Sequence, residues 1–90
     1  MTRAVDLVVT GVVQGVSFRA YAQREARRLG VAGWVANRGD GAVEARVEGD
    51  DDAVEAMTRW CRTGSPAARV AGVSVSEAEV SGVTSFEVRR

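Results

Sequence analysis

An α+β domain, with two helices on one face of a mostly antiparallel sheet of four to five strands, is the fold this sequence predicts. Three observations carry it. Segments of strand and helix period follow in the order strand, helix, strand, strand, helix, strand, with a short terminal addition. Glycine-containing turns separate them, and no repeat, low-complexity tract or linker divides the chain. Ninety residues, 46% of them hydrophobic, supply one core and not two. This order is the split βαβ, or ferredoxin-like, topology, taken as one domain over residues 1–90. The label names a chain path and implies no iron.

Ala4–Thr10 reads as the first strand, with Val5, Leu7 and Val9 on one face and Asp6 on the other. Gly11–Ser17 is a glycine-punctuated loop. Phe18, Ala22, Ala26 and Leu29 recur at helical spacing and predict a helix over Phe18–Leu29, with Arg24, Arg27 and Arg28 toward solvent and Gly30 as a left-handed stop. Val31–Arg38 reads as the second strand and Ala42–Glu48 as the third, joined by the turn Gly39-Asp40-Gly41. In the third, Val43, Ala45 and Val47 alternate with Glu44, Arg46 and Glu48, which predicts one buried and one wet face.

Asp50, Asp51 and Asp52 suit a helix N-terminus, by capping exposed amides and by complementing the helix dipole. The helix is expected over Asp52–Arg62, with Val54, Met57 and Cys61 inward and Trp60 at its edge, stopped by Thr63-Gly64-Ser65-Pro66. Arg69–Val80 is a long extended segment. Its apolar register passes from Val73 and Val75 to Ala78 and Val80, and that change of parity predicts a bulge, break or twist there rather than one ideal strand. Ser81-Gly82 is a turn, and Ser85–Arg89 a terminal strand with Phe86 and Val88 on one face. The topology sets the first and second strands parallel with the third between them. The loop at Gly11–Ser17 and Asn37 then meet at one rim of the sheet.

Composition narrows the function. Twelve acidic residues balance twelve basic ones, so the total charge gives no support to nucleic-acid binding. Every basic residue is arginine, so any side-chain cation contact to an anion uses a guanidinium fork. Histidine is absent, which removes an imidazole base, nucleophile or metal ligand. The lone Cys61 sits at core-compatible spacing and makes neither a disulfide nor a metal cluster. Consecutive aspartates at Asp50–Asp52 cap and solubilise more simply than they bind metal, so no metal and no cofactor is expected. No run approaches the roughly 18–20 apolar residues of a membrane span. A cytoplasmic monomer is the expectation.

Two clusters carry chemistry. In Gly11–Arg19 (GVVQGVSFR), Gly15 permits close approach or positive φ. The amides from Gly15 to Phe18 can turn inward at a helix start, and Arg19 can offer paired donors. Local features leave two readings open, a structural turn with a surface arginine or a cradle for an anion. Without a Gly-Lys-Ser/Thr ending it is no Walker loop. In Gly33–Gly41 (GWVANRGDG), Asn37 is the only asparagine; it either finishes a strand or orients a water through its amide. Trp34 reads as packing rather than a stacking platform.

Together these segments resemble the two signatures of the acylphosphatase family: GVVQGVSFR matches the first, and Gly33–Glu44 (GWVANRGDGAVE) the second, in the same order and at the same separation. The resemblance extends over essentially all 90 residues. It implies hydrolysis of a small-molecule acyl phosphate to carboxylate and inorganic phosphate. On that resemblance Arg19 is the phosphate-binding catalytic arginine and Asn37 the water-positioning asparagine. The backbone around Gly15, Val16, Ser17 and Phe18 is the phosphate cradle. Ser17 stands where the family often has glycine. Other functions compatible with the topology are a phosphate-binding module, a nucleic-acid module, and a domain serving carbamoyl-phosphate chemistry within a larger assembly. The chain's near-complete single-domain length favours a free-standing enzyme.

Overall fold

The computed structural model describes residues 1–90. Strand β1 (Thr2–Val12) leads through the loop at residues 13–17 into α1 (Phe18–Leu29), followed by β2 (Ala32–Asn37), β3 (Val43–Asp50), α2 (Asp51–Thr63), β4 (Arg69–Ala78) and β5 (Phe86–Arg89). The sheet order is β4-β1-β3-β2-β5. The four pairings among β4, β1, β3, β2 and β5 are antiparallel except for β2 with β5, which is parallel. Both β1 and β2 run against β3, so they are parallel to each other and end at the same rim. The expected topology is the one observed.

Register aims the side chains. Val9, Val43 and Asn37 lie in one cross-strand row, and Leu7, Ala45, Val35 and Val88 in the next. Because strand side chains alternate between faces, Asn37 shares the face of buried Val35, Val43 and Val9, at the rim of that face. The helices cover this face. Ala22 and Ala26 of α1 and Val54, Met57 and Cys61 of α2 join the strand residues in one core cluster of 16 buried side chains. Burying a side chain such as Leu7 or Met57 stabilises by about 1.5–3 kcal/mol.

Helix α1 has the expected limits, and Gly30 takes the left-handed cap with its amide bonded to Ala26 and Arg27 carbonyls. Helix α2 begins at Asp51, one residue earlier than expected, and Asp50 sits at its N-cap without a side-chain capping bond. The aspartates therefore act there through the helix dipole, not as a hydrogen-bonded cap.

Two strand expectations are corrected. The bulge is not among Val75–Ala78, where pairing with β1 runs unbroken; it lies at Ala71, where the register shifts between Thr10 and Gly11. Gly11 is required there, with φ 115 and the Arg69 carbonyl 2.2 Å from where a Cβ would stand. The parity change has another cause. Val73 and Val75 lie on the helix-covered face, whereas Ala78 pairs with Ala4 on the opposite face. Nor is the second face of β3 wet throughout. Glu48 is only 4% exposed, because the segment after β4 folds over it. Its carboxylate accepts from Ser81 N at 3.0 Å, Ser81 Oγ at 2.6 Å and Gly82 N at 3.2 Å.

Candidate functional site

The loop between β1 and α1 is held from three sides. Gln14 Nε2 donates to the carbonyls of Arg38 at 2.7 Å and Ala42 at 2.8 Å, which fastens the loop to the β2–β3 hairpin. Ser65 Oγ donates to the Val16 carbonyl at 2.7 Å, and the Val16 side chain packs on the core. Phe18 is buried and meets Trp60 with ring centroids 5.3 Å apart. These contacts fix a short segment that would otherwise have many conformations.

Its backbone is unusual. Gly15 has φ 74, and Ser17 has φ 61, the only non-glycine residue with positive φ. A left-handed residue with a Cβ costs roughly 1–2 kcal/mol. Ser17 stands at the N-cap position of α1, where serine is usually favoured for its side-chain bond, yet it makes none. No protein acceptor engages the amides of Gly15, Val16, Ser17 or Phe18. The chain thus keeps a set of donors at a helix start, where the dipole also favours negative charge.

A cavity of about 470 Å³ opens beside this loop. It is lined by Gly15, Ser17, Phe18 and Arg19, and from the other side of the rim by Asn37. Residues 18 positions apart, Arg19 and Asn37, are brought to one space by the parallel relation of β1 and β2. Arg19 Nη1 donates to the Arg89 carbonyl at 2.7 Å. Of the residues expected from sequence, Val16 alone does not line the cavity; only its amide could take part.

Sequence reading missed four lining residues, Val13, Ala20, Gln23 and Val88. Gln23 was findable, since it lies four residues beyond Arg19 and so on the same helix face. It donates through Nε2 to the Phe86 carbonyl at 3.0 Å. No carboxylate, thiol or phenol lines the cavity, and Arg19 is its one charged side chain. Cys61 lies in the core, where burial pushes its thiol up to about 12, so it stays protonated and inert. Trp34 faces the uncovered side of the sheet with the Arg89 guanidinium 4.9 Å from its ring centre. No helix is long and apolar enough to cross a membrane.

The arrangement can hold an anion at fixed donors and place a water near it. It holds no group able to protonate a poor leaving group.

Comparison with known proteins agrees with this chemistry. The family model described as Acylphosphatase matches residues 5–88. An acylphosphatase of Nocardioides sp. is 58% identical over 89 residues, which span 99% of this chain and 90% of that protein. The crystal structure of acylphosphatase from Bacillus subtilis matches with a TM-score of 0.94 at 37% identity, covering 100% of both chains. A full-length HypF, in a phosphate- and nucleotide-bound form, matches with a TM-score of 0.88 at 26% identity over 100% of this chain and 12% of that one.

Proposed function

We propose a mechanism for this chain, which belongs to the acylphosphatase family and is an enzyme hydrolysing an acyl phosphate to carboxylate and inorganic phosphate. The phosphoryl group sits on the amides of Gly15, Val16, Ser17 and Phe18, with the Arg19 guanidinium bonded to its oxygens. Asn37 orients a water for in-line attack on phosphorus. The P–O bond to the acyl oxygen breaks as the new one forms, and the carboxylate leaves with the bonding pair. A phosphoryl oxygen takes the water's proton, giving dihydrogen phosphate.

One observation carries this reading: a single cavity is lined at once by the positive-φ loop, by Arg19 and by Asn37 from a distant strand. Its lack of an acid is consistent with the leaving group. A carboxylate is a weak base and departs unprotonated, whereas an alkoxide needs a proton. What remains for the protein is placement and charge stabilisation, which preorganised donors supply. We place the reaction in the cytoplasm, without a metal.

The test is phosphate release from acetyl phosphate in the presence of a chelator, with Arg19→Gln and Asn37→Ala beside the parent chain. Chelation should leave the rate unchanged, and each variant should lose about 10²–10³ in kcat/KM while keeping its fold. Full activity in either folded variant rules out its assigned role. Phosphate binding without turnover in the parent marks a binding module instead.

A further inference from the structure

The cavity has a second wall. Val88 is 41% exposed, yet it lines the space that holds Arg19 and Asn37, on the helix-covered face beside Val35. Strand β5, which carries it, has no partner on its outer edge. Two donors of α1 hold it instead, and they bracket Val88 along the strand: Gln23 Nε2 on the Phe86 carbonyl and Arg19 Nη1 on the Arg89 carbonyl. Ala20, between those two donors in sequence, also lines the cavity. Val88 is therefore held at the cavity and left partly uncovered by protein.

We propose that Val88 is a specificity-determining residue that contacts the acyl group, and that the subsite it forms with Ala20 selects uncharged alkyl or aryl acyl phosphates over those bearing a second anionic group. This rests on the reaction proposed above. The phosphoryl group occupies the loop amides and Arg19, so the acyl group extends toward the remaining wall. That wall gains free energy by losing apolar surface from water. It offers no second cation, because Arg19 is the only charged side chain lining the cavity. A carboxylate on the acyl group would lose water and find no partner.

Benzoyl phosphate and 4-carboxybenzoyl phosphate share a size and differ by that one charge. Acetyl phosphate serves as the small reference substrate. The parent chain should prefer benzoyl over 4-carboxybenzoyl phosphate by tenfold or more in kcat/KM. Val88→Ala should lower the benzoyl-to-acetyl ratio several-fold, and Val88→Arg should reverse or abolish the discrimination against the carboxylate. Val75→Arg, exposed on β4 at the opposite edge of the sheet, should leave both ratios as they were. Turnover with ratios indifferent to residue 88, or moved equally by Val75→Arg, overturns the subsite alone. Absence of turnover of acetyl phosphate by the parent chain overturns the reaction and the subsite together.

Discussion

Arg19 and Arg89 are joined by a hydrogen bond of 2.7 Å from the guanidinium Nη1 of the first to the main-chain carbonyl of the second. One nitrogen of the guanidinium proposed above to bind the phosphoryl group is committed to the last strand, and the fork is thereby oriented. A guanidinium can keep this bond and still direct other N–H groups at an anion.

An ammonium cannot do both with fixed geometry. Arg19→Lys retains charge but loses the fork, so kcat/KM for acetyl phosphate should fall about 10²-fold. Steady-state kinetics on folded variant protein decide it. Retention of more than a tenth of parental kcat/KM would show that charge alone suffices.

Ser17 yields a stability prediction. Its left-handed φ of 61 costs roughly 1–2 kcal/mol, and its hydroxyl returns no capping bond. Glycine removes that strain but adds about 0.5–1 kcal/mol of unfolded-chain entropy. Ser17→Gly should therefore stabilise by about 0.5 kcal/mol, raising Tm by about 2–4 °C with activity kept. Differential scanning calorimetry measures this, and a lowered Tm would mean that Ser17 makes a compensating interaction.

Much of this was legible in sequence, for local reasons. The limits of α1 follow from its period and from Gly30, both contained within the helix and its cap. Asn37 reached the rim because strand order and alternation determine where it points. What could not be read depended on distant segments. Glu48 looks like the wet residue of an alternating strand, and only residues 81–82 crossing it make it buried. Val88 looks like core beside Phe86, but the cavity leaves it partly open. The apolar parity of β4 misplaced the bulge, since Val73 and Val75 lie on the helix-covered face while Ala78 packs beside Ala4 on the other, with the pairing unbroken between them.

The buried Glu48 carboxyl carries a pH prediction. Desolvation alone would raise its pKa, but bonds from the Ser81 hydroxyl and the Ser81 and Gly82 amides, with Arg46 nearby, outweigh it and hold the carboxyl below the ordinary range. A folded-state pKa below the unfolded one gives stability that is present above the unfolded value, about 4.3, and lost as pH falls through the folded value. Glu48→Gln should be less stable than the parent at pH 7 by about 1–3 kcal/mol, and the gap should shrink toward pH 3. Urea unfolding at pH 7, 5 and 3 measures it; a constant gap would remove Glu48 from the acid response.

The most direct measurement follows oxygen from the attacking water. Single-turnover hydrolysis of acetyl phosphate in ¹⁸O-water, with products read by mass spectrometry, separates attack at phosphorus from attack at the carbonyl. Label in inorganic phosphate and none in acetate is the result predicted for water placed by Asn37 against a phosphoryl group on the Arg19 loop. Label in acetate would contradict that arrangement, because the bond broken would then be the one to carbon.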